Sequence, residues 1–97
     1  MPNYVILANW TDQGIKNVKD TIKRAKSFET AIEQVGGKSN GIYYTLGKHD
    51  LVAIVEAPTD EAIASVMFST GSLGNVRTET LKAFSISEAA SLVEKIS

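Results

Sequence analysis

The chain has 97 residues, 43% of them hydrophobic and 22% charged, a balance that fits one globular domain and lies far from disordered or collagen-like compositions. Ten basic against eleven acidic side chains leave a net charge of -1, which disfavours a general nucleic-acid binder or a protein drawn to anionic lipid. With no cysteine and one histidine, disulfides and thiolate metal sites are excluded, and neither a metal nor a cofactor is expected.

Tyr4 to Ala8 is a nearly unbroken apolar run, the pattern of a central strand covered on both faces. Thr11 or Asp12 can cap the helix that follows. Apolar residues at Ile15, Val18, Ile22, Ala25, Ile32 and Val35 predict one long amphipathic helix ended by Gly36-Gly37. Lys16, Lys19, Lys23 and Lys26 fall at helical spacing and predict a basic stripe, readable as a solvated face or as a docking surface.

Gly41–Leu46 and Asp50–Ala57 are rich in strand formers, and the Gly47-Lys48-His49 between them predicts a tight hairpin. Pro58 stops the second strand. Thr59 caps a helix with Asp60 and Glu61 in its first turn and Ile63, Val66 and Met67 as its buried stripe. Asn75–Phe84 reads as a fourth strand, and Ser85 with Glu88 forms a capping box for a short C-terminal helix bearing Ala89, Leu92, Val93 and Ile96.

The order β-α-β-β-α-β, plus one helix, predicts a single α+β domain over residues 1–97: a ferredoxin-like sandwich with a four-stranded antiparallel sheet and both long helices on one face. Helices on one face alone should leave alternating strands, yet Val5–Ala8 and Leu51–Val55 are apolar at consecutive positions. A second copy of the same sheet is the economical cover, so a homodimer or larger even-numbered assembly built as an α/β barrel is expected. The N-terminus has no basic leader and no apolar run is long enough to span a membrane, so a cytoplasmic location without membrane partners is expected.

The blocks Trp10–Lys16, Arg24-Ala25, Tyr44–Asp50, Val55–Pro58 and Gly74–Phe84, in this order, resemble the GYD-domain family of small bacterial and archaeal proteins, and the likeness spans nearly the whole chain. Gly47 and Asp50 match the motif that gives the family its name, while His49 stands where tyrosine is usual. The resemblance implies a ferredoxin-like fold paired into a dimeric α/β barrel, and it brings no reaction with it.

Candidate site residues follow from charge and position. Arg77 and Glu79 point to one side of the fourth strand, and Thr78, Thr80 and Lys82 to the other. Arg77 could grip an anionic ligand and Glu79 orient it, or the two could serve as interface ion pairs. His49 and Asp50 suggest an acid–base pair, or a turn in which Asp50 holds backbone amides. Glu56, at the end of a central strand, needs a partner, with Lys82 or Arg77 at hand. Trp10, Asn9 and Tyr44 could form one wall of a cleft. Three functions remain open on these residues: a small homo-oligomeric protein binding a small, anionic ligand; a cofactor-independent monooxygenase- or isomerase-like enzyme; and a structural assembly subunit.

Overall fold

The computed structural model describes residues 1–97 and places β1 at Asn3–Trp10, α1 at Asp12–Lys16, a 3-10 turn at Val18–Asp20, α2 at Thr21–Gln34, β2 at Lys38–Tyr44, β3 at Leu51–Glu56, α3 at Asp60–Ser72, β4 at Val76–Ala83 and α4 at Ile86–Val93. The strands form one open antiparallel sheet in the order β2-β3-β1-β4, so the two apolar strands are central and the polar β2 and β4 are the edges. That is the ferredoxin-like order. No helix is long and apolar enough to cross a membrane.

Strand alternation decides which side chains meet the helices. In β1, Tyr4, Ile6 and Ala8 are buried while Val5 and Leu7 are half-buried; in β3, Ala53 and Val55 are buried and Ile54 is exposed. Tyr4, Ile6, Ala53 and Val55 pack with Ile32 of α2 and with Ile63 and Val66 of α3 into a single core. Side chains of opposite parity make up a second sheet face that no helix core reaches.

Three sequence expectations change. The predicted first helix is broken into α1, the 3-10 turn and α2, and Ile15 and Ile22 are exposed. Its start is fastened to the α3–β4 connection: the Thr11 amide donates to the Asn75 carbonyl and the Thr11 hydroxyl to the Gly74 carbonyl. The far end must lie over the sheet to bury Ile32. At the break the Gln13 carbonyl accepts both the backbone and the side-chain amide of Asn17, the Asn17 carbonyl accepts the Asp20 amide and Arg24, and Arg24 also binds the Gly14 carbonyl. The break also divides the lysine stripe, leaving Lys16 and Lys19 before α2 and Lys23 and Lys26 on it.

The hairpin differs as well. β2 begins at Lys38, carries a bulge between Ser39 and Gly41, and ends at Tyr44, so the connection is residues 45–50 and no tight turn forms. Asp50, just before β3, bonds both sides: its carbonyl accepts the Thr45 amide and its own amide donates to the Ala8 carbonyl of β1. Helix ends otherwise obey local chemistry: Thr11, Thr59 and Ser85 cap α1, α3 and α4, the last with a complete capping box, and Gly36 at φ 84° closes α2 in the left-handed conformation. The apolar side chains of α4 stay uncovered, Ile86 at 92% exposure and Ile96, just beyond the helix, at 74%.

Candidate functional site

The first candidate surface is the open face of the sheet. Register places Val5 and Leu7 of β1, Val52 and Ile54 of β3, Tyr43 of β2 and Leu81 of β4 on it, a continuous apolar field across four strands. Its polar ends differ. At one end Arg77 lies opposite Asn9, and Glu79 opposite Leu7; at the other Glu56 lies between Asn3 and Lys38. Neither Arg77 nor Glu79 has an ionic partner, since the chain's one ion pair joins Lys82 to Asp60.

The loop 45–50 closes the Arg77 end. His49 Nδ1 lies 3.0 Å from Asn9 Oδ1, and Asn9 Nδ2 donates to the Lys48 carbonyl. Asp50 Oδ2 accepts the Trp10 amide at 3.0 Å, and Thr45 Oγ1 donates to the His49 carbonyl. His49 and Asp50 therefore bond two different residues of β1, Asn9 and Trp10, and do not form an acid–base pair. Glu56 accepts from Asn40 Nδ2 at 3.0 Å, not from Lys82 or Arg77, because Lys82 projects from the opposite face of the sheet.

The second candidate is a cleft of about 530 Å³ between the sheet and the two helices. Ile6, Ala53 and Ile42 form its floor, Phe28 and Met67 its sides, and Trp10, Arg24 and Thr21 lie toward one end. Trp10 stacks on Tyr44 with ring centroids 6.3 Å apart, and the Tyr44 hydroxyl is 3.1 Å from that of Thr21. The expected wall of Trp10, Asn9 and Tyr44 thus loses Asn9, which strand parity sends to the open face. Arg77 and Glu79, expected near a cleft, do not line this one; Thr78 and Val76 of the same strand do.

A third hollow of about 460 Å³ lies between α3 and β4, lined by Tyr4, Asp60, Phe68, Thr80 and Lys82. The buried Tyr4 hydroxyl donates to Asp60 Oδ1, and Lys82 Nζ lies 3.1 Å from the same oxygen. Burial pushes the Tyr4 phenol from 10.0 up to about 12, helped by the hydrogen bond to Asp60 and the charges of Asp60 and Glu61. Asp60 is held below its ordinary value, first by the Tyr4 hydrogen bond and then by Lys82.

These shifts give signed pH effects. A phenol raised on folding contributes stability that is complete below pH 10 and lost as pH rises through about 12. A carboxylate lowered on folding contributes stability present above 3.8 and lost as pH falls through its depressed folded value. Tyr4→Phe is expected to cost about 1 kcal/mol at neutral pH and to flatten the alkaline limb, measured by urea unfolding of both proteins across the pH range. Equal alkaline limbs would show that Tyr4 does not set that loss.

Of the residues singled out by sequence, the structure gathers Trp10 and Tyr44 at the helix-side cleft and Lys82 at the hollow beside α3. Arg77, Glu79, Glu56 and the His49 partner Asn9 belong to the open face, and Asp50 serves the backbone of β1. Sequence reasoning missed Tyr4, Asp60 and Arg24. Tyr4 was hidden within an apolar run and Asp60 within a helix start, where an acidic residue already has a reason to be.

Comparisons with known proteins agree with this architecture. A protein of Thermus thermophilus named glutamine synthetase and cystathionine beta-lyase binding protein is 30% identical over 89 residues, covering 91% of this chain and 94% of the relative. The crystal structure of TTHA0845, also from Thermus thermophilus, superposes with a TM-score of 0.57 at 28% identity over 88% of this chain and 95% of that one. MtbAldR aligns with a TM-score of 0.66 at 14% identity, over 87% of this chain; the chain spans about half of its length, 52%, and the likeness is one of fold. The GYD domain family model matches residues 4–93, nearly the whole sequence, and the chain belongs to the GYD domain family.

Proposed function

We propose that this chain is a small binding protein of regulatory type, which pairs with a second copy through the open face of its sheet to close an α/β barrel and holds a small ligand in the cleft between helices and sheet. The observation that carries this reading is the apolar field of Val5, Leu7, Val52, Ile54, Tyr43 and Leu81, uncovered within the chain although two of its strands are central. Monomeric proteins rarely leave an apolar field of that kind open to water, and a self-complementary two-fold contact is the commonest cover. Arg77 and Glu79, unpaired within their own chain, stand beside this field, where a second copy would supply opposite charges.

The relative named for binding two enzymes favours a binding role, with a protein partner as the second reading. An enzyme reading needs His49, Tyr44, Arg77 and Glu79 to converge, and these side chains are divided between the two faces of the sheet. Native mass spectrometry of freshly purified protein tests the proposal. An even-numbered assembly, with extra mass on each pair, is the expected spectrum; a bare monomer at micromolar concentration would overturn it.

A further inference from the structure

We propose that the helix-side cleft binds an apolar monocarboxylate, with Arg24 as its anion anchor. This rests on the small-ligand reading above and gives the ligand a chemical class. Three observations carry it. The cleft, about 530 Å³, has the size of a small-molecule site and is lined mainly by apolar side chains, with Ile6, Phe28 and Ala53 among them. Two cations, Lys23 and Arg24, lie among its lining residues and no aspartate or glutamate does, so the cleft is complementary to an anion with an apolar body.

The third observation is how Arg24 is held. Its Nη1 donates to the Asn17 carbonyl at 3.0 Å and its Nη2 to the Gly14 carbonyl at 3.2 Å, and no carboxylate lies within ion-pair distance. Two neutral carbonyls fix the guanidinium in place and leave its charge unneutralised. Since guanidinium carries five N–H donors in a rigid fork, others remain for a carboxylate. The break between α1 and α2 is what presents those two carbonyls, so the same irregularity that overturned the single-helix expectation orients the anchor. The carboxylate would sit at Arg24 and the apolar body would run over Ile6 and Ala53 toward Met67.

Trp10 is the chain's one tryptophan and lines the cleft, so its fluorescence is a local reporter. Decanoate, titrated below its micellar concentration, is expected to shift Trp10 emission saturably, with decanol, its neutral counterpart, binding about tenfold more weakly. Arg24→Gln should lower decanoate affinity by about the same factor and leave decanol unchanged. Ala25→Phe, which fills the cleft from α2, should abolish the response to both. No saturable shift with decanoate, or equal binding of decanoate and decanol, overturns the proposal. This comparison is made on the unaltered protein and stands even if Arg24→Gln fails to fold. Subunit number, read by native mass spectrometry on the same samples, separates the two readings: a dimer that ignores decanoate removes the ligand class alone, and a monomer that binds it removes the open-face pairing alone.

Discussion

On the proposed pairing of open sheet faces, replacing Ile54 with glutamate is expected to yield monomers while leaving the fold intact. Ile54 is 39% exposed and lies on the open face, opposite Val5 of β1 and Gly41 of β2. In a lone chain a glutamate there keeps its water, and the change should cost little stability. In a closed pair two carboxylates, one from each copy, would be buried in an apolar field with no cation at the centre. Burying an unpaired charge costs several kcal/mol, so the dimer dissociation constant should rise by at least about two orders of magnitude. Light scattering coupled to size exclusion measures this directly, with circular dichroism as the check on folding. A variant that remains dimeric would place the interface elsewhere on the molecule.

Gly14→Ala is expected to be the most damaging conservative change in the chain. A Cβ at position 14 would lie 1.9 Å from the Asn75 carbonyl oxygen, and that oxygen belongs to backbone, which has no rotamer by which to escape. The same carbonyl accepts the Thr11 amide, while the Gly14 carbonyl holds Arg24, so relief of the clash must disturb both the α3–β4 connection and the anchor of the cleft. A cost of about 3 kcal/mol is expected, enough to lower Tm by roughly 10 °C or more. Gly71→Ala is the control: its Cβ meets nothing within 4 Å in the helix α3, and it should stabilise by about 0.5 to 1 kcal/mol through helix propensity. Differential scanning calorimetry of the two variants checks both signs, and similar melting temperatures would contradict the close approach at Gly14.

Much of the fold was legible because it depends on short-range chemistry. The caps at Thr59 and Ser85, the stop at Pro58 and the apolar run of β1 each act within a few residues, and each element begins where they indicate. The errors fall where a distant group intervenes. Nothing near Asn17 in sequence announces that the first helix breaks there; the cause is the demand of the α3–β4 connection, more than fifty residues away, on Thr11 and Gln13. Likewise the Asp50 side chain, which a tight turn would have used on its own amides, accepts the distant Trp10 amide of β1.

The sequence by itself determined the element order and the central place of the two apolar strands, because periodicity and local capping encode these directly, and its ordered blocks carried the family resemblance. Only the tertiary structure decided which polar side chains meet. Strand parity separates Arg77 and Glu79 from Thr78, Thr80 and Lys82, but register with β1 and the side taken by the helices decide which set faces the cleft. Arg24 entered the sequence reading only within a family block, and only the folded chain brings the Asn17 and Gly14 carbonyls to its guanidinium. A site made of groups far apart in the chain is set by packing, and packing is where local pattern stops carrying information.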